Sequence, residues 1–501
     1  MTGLFQTKSL DRLRAEADTP SERSFKRTLG PLHLTTLGVG AIIGTGVFVF
    51  TGVAAALYAG PAVPISMLLA GFACSFAALC YAEMASAVPV AGSAYTYAYA
   101  TLGELVAWII GWDLILEYAM GAATVGVGWS ATFVSFLHLF GITIPTALTG
   151  PPFAFCTATQ VREAIAGCTI AGWQATGAVV NLPAVCIILA ITAVLVVGIR
   201  ESARFNSFIV IVKTGVLVVF VIVGWRYVSP ANWHPFVPPN TGTFGEFGWT
   251  GVLRGAGFVF FAYIGFDAVS TAAQEARAPQ KDMPIAILGS LGICGLLYCL
   301  VSLVLTGLIP YVSLNVASPV IMVVERIPEL AWFRPVITLG AVLGLGSTIL
   351  VMLLGQSRVF YSMSRDGLLG RWAGTVHPRF RTPYLATIYT GIVVAASTGL
   401  FPIQILGQLV NIGTLLAFVI VCGGVWILRH TRPDLERPFR TPAVPWVPLV
   451  GILSCLGLML TLPLETWLRL GAWLVIGCAI YFSYGRKHSA LRRETAPTPS
   501  P

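Results

Sequence analysis

Long apolar segments recur along the whole chain, and short polar loops separate them. A transmembrane helix needs about 20 mainly apolar residues to cross the hydrocarbon core of a bilayer. Because the segments have this length, the pattern predicts an all-α integral membrane protein with 12 transmembrane helices. The predicted spans are residues 34–57, 62–86, 104–131, 180–199, 206–226, 250–274, 284–308, 331–360, 384–402, 404–428, 444–463 and 468–485.

The composition agrees with this pattern. Of 501 residues, 56% are hydrophobic and only 10% are charged, whereas about a quarter of the residues in a typical soluble domain are charged. The polar tail of residues 1–33 leads into a span that lacks the short apolar core and small-residue cleavage site of a signal peptide. The sequence therefore gives no indication of a removable leader.

The net charge of +9 reflects where the basic residues lie. Most of the 30 Lys and Arg residues fall in the two tails and in the loops near residues 200, 280, 370 and 435. An even number of spans puts all these segments on one side, which the positive-inside rule identifies as the cytoplasm. We therefore expect a multi-pass protein of the cytoplasmic (inner) membrane with a cytoplasmic C-terminal tail at residues 486–501, and we infer no nucleic-acid binding from the charge.

Two of the ten cysteines differ from the rest, which lie in apolar spans. Cys156 and Cys168 lie in the polar loop after the third span, on the predicted outer side. An oxidising environment there favours a disulfide that closes the loop. Two unpaired surface thiols are the alternative.

The first span contains a glycine-rich interruption between Gly38 and Gly46. Gly costs a helix about 1 kcal/mol relative to Ala, and irregular backbone at membrane depth persists only where it is buried in protein or lines a cavity. If the helix unwinds from Ile43 through Gly44 and Thr45 to Gly46, the freed amides and the positive end of the next half-helix suit a carboxylate. The alternative is that the glycines only permit close helix packing.

A second interruption lies in the sixth span, where Gly265 and Asp267 follow a run of aromatic residues. A pair of broken helices in corresponding positions of two halves indicates the binding site of a secondary transporter. Freed carbonyls of Phe261, Ala262 and Ile264 would hold an ammonium group. The two interruptions together predict a receptor for the α-carboxylate and α-amino groups of an amino acid.

Three ionisable residues lie inside the predicted spans and bear on coupling. Glu117 shares a helix face with Asp113 in the third span, and such residues normally face a cavity or a partner. Lys213 lies well within the fifth span, where burial disfavours its charged form and a nearby carboxylate favours it. We expect Lys213 to exchange a proton during transport; the alternative is a permanently charged structural partner of Glu117 or Asp267.

Other functional classes find little support in the sequence. The six histidines are scattered, and neither an HExxH motif nor a GxSxG elbow is present, so we expect no enzyme, metal site or cofactor. The GxxxxGK phosphate loop that an ATP-driven pump would need is also absent. An amino acid sensor built on a transporter fold would share most of these features, and substrate flux would distinguish it.

Four stretches carry a resemblance to the amino acid, polyamine and organocation superfamily, most closely to its cationic amino acid transporter family. They occur in the family's order, and as a set they are specific. They are Gly-Val-Gly-Ala-Ile-Ile-Gly-Thr-Gly-Val-Phe at 38–48; Glu83 with Pro89, Gly92 and Tyr95; Phe-Phe-Ala-Tyr-Ile-Gly-Phe-Asp at 260–267 with Glu275, Pro279 and Pro284; and Gly355-Gln356-Ser357-Arg358 through Ser364-Arg365-Asp366-Gly367 to His377-Pro378.

The resemblance implies a LeuT-like fold of two inverted five-helix repeats, here residues 34–226 and 250–428, with residues 444–485 adding two helices. An amino acid would bind between broken helices 1 and 6, its carboxylate at residues 43–46 and its amine at Phe261, Ala262 and Ile264. Lys213 corresponds to a lysine that proton-coupled relatives have in lieu of a sodium ion, with Glu117 and Asp267 as polar partners. The sequence departs from the family in two ways. Animal members have fourteen spans, which puts an animal-type substrate preference in doubt, and Ala91 replaces a frequent glycine, which we expect to matter little.

The expected function is import of L-amino acids by proton symport with alternating access. Cationic substrates such as arginine or lysine and small neutral ones such as alanine both remain open. The alternatives are an exchanger or uniporter in which Lys213 is structural, and more remotely a sensor. Stoichiometry, oligomeric state and accessory subunits leave no signal in the sequence. The residues expected to line the side-chain pocket are Gly344, Leu345, Gly346 and Ser347.

Overall fold

The computed structural model describes residues 4–9, 29–90, 92–156, 172–198, 202–316, 318–380 and 382–495. Helices make up nearly all of the regular structure in these ranges. The first helices and the two strands are α1 (Pro31–Ile42), α2 (Thr51–Ala54), α3 (Val63–Ala87), α4 (Ser93–Thr101), α5 (Glu104–His138), β1 (Phe153–Cys156), β2 (Gly172–Ala175), α6 (Leu182–Val197), α7 (Ser202–Gly224), α8 (Gly248–Val259) and α9 (Pro279–Leu308).

The second part of the chain is also helical in the described ranges. Its helices are α10 (Pro319–Arg326), α11 (Arg334–Arg365), α12 (Tyr384–Leu400), α13 (Ile403–Thr431), α14 (Trp446–Leu460), α15 (Leu464–Ile480), α16 (Arg486–His488) and α17 (Ala490–Thr495). Short π-helical segments, Gly46–Phe50 and Ala55–Ala59, flank α2. Two 3₁₀ segments, Phe260–Tyr263 and Asp267–Glu275, follow α8.

Eight helical stretches in the described ranges are long and apolar enough to cross a membrane. Four shorter apolar helices accompany them, namely α1, α6, α12 and α14. The prediction of an all-helical, multi-pass membrane protein is therefore confirmed. The number of spans is not settled by length alone, because predicted spans 4, 9 and 11 fall on short helices and the first span is divided.

The molecule is held together by helices that are buried on most faces. The long helices α5 and α11 pack along each other, and Trp129 Nε1 of α5 donates a hydrogen bond to the Val342 carbonyl of α11 at 2.9 Å. Gly355 of α11 permits this approach, since a Cβ there would lie 3.3 Å from the Tyr118 ring. Close packing through small residues is how membrane helices associate, and it fixes the frame around the two interruptions.

One short helix was not predicted from the sequence. The proline and glycine pattern before the third span indicates only a turn, yet α4 forms there with buried Tyr95, Tyr97 and Tyr99. Gly92 precedes it with a φ of +133°, a conformation that L side chains rarely adopt. The chain therefore places three buried tyrosines between α3 and α5.

The loop after α5 contains an antiparallel hairpin. Strand β1 pairs with β2, from Phe153 opposite Ala175 to Cys156 opposite Gly172. The predicted Cys156–Cys168 disulfide lies outside the described residues, because neither Cys168 nor the side chain of Cys156 is among them. The pairing therefore stays a prediction.

The described segments nearest the two chain ends, residues 4–9 and 486–495, contact the same part of the helix frame. The Lys8 ammonium pairs with Asp366 at 2.8 Å, just after α11, and Tyr95 OH donates to the same carboxylate at 2.7 Å. At the start of α5, the fully buried Glu104 accepts from Arg492 Nε at 2.8 Å. These two segments thus supply Lys8 and Arg492 as partners of the Asp366 and Glu104 carboxylates.

Candidate functional site

The interruption predicted in the first span is present. Helix α1 ends at Ile42, Ile43 is extended with φ −72° and ψ 93°, and the chain resumes as a π-helix at Gly46. Amides in the first turn of a helix have no intrahelical acceptor. The segment therefore offers amide donors near Gly44 and Thr45 in the middle of a buried stretch.

Lys213 of α7 holds the carbonyls that this break releases. Its Nζ donates to the Gly40 carbonyl at 2.7 Å and to the Ile43 carbonyl at 2.8 Å. The Thr348 hydroxyl of α11 lies 3.0 and 2.9 Å from the same two oxygens. Tyr298 OH of α9 donates to the Ile42 carbonyl at 2.8 Å. Three neighbouring helices thus support the freed carbonyls with donor groups.

The predicted side-chain pocket residues lie beside this lysine. Ser347 Oγ is 3.2 Å from Lys213 Nζ, and a Cβ on Gly344 would lie 2.9 Å from Lys213 Cδ. Gly346 instead faces Trp129, and Leu345 is buried. Gly344 and Ser347 therefore meet Lys213 directly, and their part in choosing a substrate side chain stays a prediction.

The second interruption is also present. The 3₁₀ segment after α8 ends at Tyr263, and Ile264 is extended with ψ 135°. Gly265 has a φ of +120°, which favours glycine. Its amide donates to Asp267 Oδ1 at 3.2 Å, and Tyr118 OH of α5 donates to Oδ2 at 3.0 Å. Asp267 therefore fixes the turn that releases the carbonyls before it.

The two interruptions touch each other through their glycines. A Cβ on Gly46 would lie 2.3 Å from Ala262 Cα, and a Cβ on Gly265 would lie 2.9 Å from the carbonyl carbon of Ala41. Only residues without a Cβ allow such an approach. The predicted carboxylate-binding residues, Ile43 to Gly46, are therefore brought against the predicted amine-binding residues, Phe261 to Ile264.

The acidic residues lie on the α5 side of these breaks. Asp113 and Glu117 are each only 1% exposed, and none of their carboxylate oxygens has a hydrogen-bond partner among the described residues. No ion pair joins Lys213 to Glu117 or Asp267 within these residues, because the ammonium is surrounded by carbonyl and hydroxyl oxygens. The direct pairing considered from the sequence is not formed in this structure, and coupling through protons stays a prediction.

Several residues at the breaks were missed by sequence reasoning. They are polar side chains deep in apolar spans, a feature that often marks a functional site in a membrane protein. No charge or glycine marks them, and their partners are distant in the chain. They are Tyr118, Tyr298, Thr348 and Asn411.

Chemically, the site offers donors on one side and acceptors on the other. The amides of the first break suit an anion, and the carbonyls of the second suit a cation. Within the described ranges, no group of three or more His, Cys, Asp or Glu residues could hold a metal ion. The arrangement suits binding of a small zwitterion.

Comparisons with known proteins agree with this geometry. A family model described as amino acid permease matches residues 29–477. The branched-chain amino acid permease BcaP of Bacillus subtilis (strain 168) is 48% identical over 491 residues, covering 98% of this chain and 99% of the relative. The methylthioribose transporter of the same organism is 45% identical over 493 residues, covering 98% and 100%. The vacuolar cationic amino acid transporter 4 of Arabidopsis thaliana is 36% identical over 435 residues, covering 87% and 68%.

Proposed function

The chain belongs to the amino acid permease family and is a transporter rather than an enzyme, and we propose that it imports L-amino acids by proton symport. The observation that carries the proposal is the contact between the two interruptions at Gly46 and Ala262. This contact supports a site in which the amide donors of the first break lie on one side of the ligand and the carbonyl acceptors of the second lie on the other. Such a pair matches the carboxylate and ammonium that all L-amino acids share.

We propose that the fold has 12 spans and two inverted repeats, residues 34–226 and 250–428. The support is that α1 and α8 are both 12-residue helices that end at an interruption. Broken helices in matching positions of two repeats are typical of transporters that alternate access around a central site. Residues 444–485 would then be two helices outside the repeats.

Proton coupling is proposed to act through Lys213. As an ammonium, Lys213 ties the end of α1 to α11, since its acceptors include Gly40 on α1 and Ser347 on α11. Hydrogen bonds from a charged donor are stronger than those from a neutral one. Loss of the proton would therefore weaken the tie between α1 and α11, which links protonation to movement of the broken helix. Glu117 and Asp267 are the proposed carboxylate partners in the proton pathway.

The relatives are named for different classes of substrate. One relative is named for branched-chain amino acids, another for cationic amino acids and a third for methylthioribose. We favour an amino acid because methylthioribose has neither a carboxylate nor an amine to match the two breaks. Small neutral, branched and cationic side chains remain candidates. Exchange or uniport with a structural Lys213 is the main alternative mechanism, and sensing without flux is a remote one.

The experiment is uptake of labelled alanine, leucine and arginine into proteoliposomes, with and without an inward proton gradient. Wild type is compared with Lys213→Met, which has a chain of similar length and no charge. We expect gradient-driven accumulation of at least one amino acid, and loss of that accumulation in the variant while binding persists. Accumulation that ignores the gradient, or that needs amino acid inside, would favour exchange. Binding without flux would favour a sensor.

A further inference from the structure

Helix α13 lies outside the two breaks but supplies hydrogen bonds to the end of α8, just before the second break. Its proposed role rests on the amino acid receptor proposed above. One face of α13 contacts both broken spans, the first at Phe50 and the second at Phe266. A Cβ on Gly407 would lie 2.5 Å from the Phe50 ring, and the Phe418 ring lies 4.9 Å from that of Phe266. Asn411, one turn after Gly407, is on the same face. It is completely buried.

Asn411 caps the carboxyl end of α8. Its Nδ2 donates to the Gly257 carbonyl at 2.9 Å and to the Phe258 carbonyl at 3.0 Å. These oxygens belong to the last turn of α8, where carbonyls lack partners from the helix itself. Since both neighbours are acceptors, the side chain must present its NH₂ group to them. The orientation of the amide is therefore fixed.

The fixed orientation leaves Asn411 Oδ1 as a buried acceptor. It has no hydrogen-bond partner in the part of the chain that the structure describes. A buried acceptor without a donor is costly, and such groups in native structures usually have a functional reason or an absent partner. A donor that arrives with the substrate would remove this cost.

The two breaks differ in the groups that support them. At the first break, Lys213, Thr348 and Tyr298 bring donors to released carbonyls. At the second, Asn411 brings donors to Gly257 and Phe258, about one turn before Phe261 and Ala262, and adds a buried acceptor there. This difference fits a ligand whose cationic end lies at the second break.

We propose that Asn411 is a substrate-binding residue with two roles. Its Nδ2 positions the end of α8, and its Oδ1 accepts a hydrogen bond from the α-ammonium group of the amino acid. The ligand class it recognises is a primary ammonium. It therefore adds a side-chain contact to an amine site otherwise built from backbone carbonyls.

The test compares an amino acid with the same acid lacking the α-amino group. Affinities of purified wild type and Asn411→Leu are measured for L-alanine, L-leucine and L-arginine and for propanoate, 4-methylpentanoate and 5-guanidinopentanoate. Leucine resembles asparagine in size and has no polar atoms. We expect Asn411→Leu to weaken amino acid binding roughly tenfold or more, since the lost bond involves a charged donor, and to leave the des-amino acids within about twofold. Equal losses for both ligands, or no loss, would overturn the proposal.

A second variant and a control complete the test. Asn411→Asp keeps an acceptor in place of Oδ1 but loses the Nδ2 donor to α8, so both affinities should fall while the preference for the amino acid over its des-amino analogue is retained. A fall in that preference would contradict the proposal even if the leucine variant does not fold. Thr398→Val removes a hydroxyl that bonds only within α12 in the described structure and should change neither affinity. Absence of amino acid binding to wild type would overturn the proposed function itself.

Discussion

Lys213 Nζ lies within 3.4 Å of five oxygens, which come from the first break and from α11. No side-chain carboxylate is among them. Carbonyl and hydroxyl oxygens are the ligands that a small cation also prefers. The oxygens around Lys213 Nζ would therefore also suit a small cation, and under the proposed coupling we expect the charge of Lys213 to affect how firmly α1 is held.

Lys213 packs so closely against Gly344 that a larger residue at position 344 should displace the lysine. In Gly344→Ala the new Cβ would lie 2.9 Å from Lys213 Cδ and 3.0 Å from its Cβ. The lysine must shift, so its bonds to Gly40 and Ile43 should weaken. We expect proton-driven accumulation to fall at least tenfold, approaching that of Lys213→Met, in a proteoliposome uptake assay.

Gly346→Ala is the matched control two residues away. Its nearest neighbour, Trp129 Nε1, would be 3.7 Å from the new Cβ, which is an ordinary van der Waals contact. Accumulation by this variant should be close to that of wild type. If both variants keep full accumulation, the position of Lys213 does not govern coupling.

The proposed site depends on the two interrupted helices, which contact each other at Gly46 and Ala262. We expect a larger side chain at Gly46 to disturb this contact. Gly46→Ala would place a Cβ 2.3 Å from Ala262 Cα, which is backbone and cannot rotate away. Overpacking of this kind costs about 1–3 kcal/mol and would force the breaks apart. We expect amino acid affinity to fall and thermal stability to decrease, as measured by ligand-dependent unfolding.

Gly121→Ala provides the comparison for that variant. This glycine of α5 has only the flexible Met352 sulfur within range, at 3.6 Å from a new Cβ. Helix propensity favours Ala over Gly, so stability should be unchanged or higher and affinity unchanged. A Gly46→Ala protein that binds as tightly as Gly121→Ala would mean that the breaks need not touch.

The positions of both interruptions could be predicted from the sequence, because glycine and acidic residues inside a span are local signals. The hydrogen-bond donors to the released carbonyls could not be predicted, because each donor comes from a distant part of the chain. Tyr298 reaches Ile42, and Asn411 reaches Gly257 and Phe258. The family resemblance indicated by the motifs is confirmed by the match over residues 29–477.

Element boundaries were predictable only in part. The third span was placed at 104–131, but α5 continues to His138, because hydropathy does not show where a helix leaves the membrane. The sequence predicts only a turn where α4 forms, because a helix of nine residues is too short to show a clear helical repeat of apolar positions. The fit of Lys213 between α1 and α11 depends on packing that no local pattern encodes.

At the scale of the whole molecule, the described C-terminal segment is bonded to the helix frame. Glu104 accepts hydrogen bonds from Tyr99 OH at 3.1 Å and Tyr481 OH at 2.7 Å, and Ser489 Oγ also donates to it. The Asp366 carbonyl accepts from the Ala490 amide at 3.0 Å. The segment that includes α16 and α17 is therefore fastened to the start of α5 and the end of α11.

A substitution at Gly367 would show how much the contacts of the C-terminal segment stabilise the fold. It has a φ of +78°, and a Cβ would lie 2.2 Å from the His488 carbonyl oxygen. Gly367→Ala should therefore displace the C-terminal segment and cost about 1–3 kcal/mol from strain and overpacking. We expect a lower unfolding temperature in a thermal melt of the purified protein.

Gly457→Ala in α14 is the control, because nothing lies within 4 Å of its new Cβ. It should melt at or slightly above the wild-type temperature. Equal melting temperatures for the two variants would show that the C-terminal segment contributes little to stability.

The most direct test of the amino acid receptor is ligand-dependent thermal stabilisation of the purified wild-type protein. The ligands are L-alanine, L-leucine and L-arginine, their amides without a carboxylate, their des-amino acids, and methylthioribose. The two-break site predicts that at least one amino acid raises the unfolding temperature, and that removing either its carboxylate or its amine abolishes most of that rise. Equal stabilisation by the amide or the des-amino acid, or stabilisation by methylthioribose alone, would contradict the account.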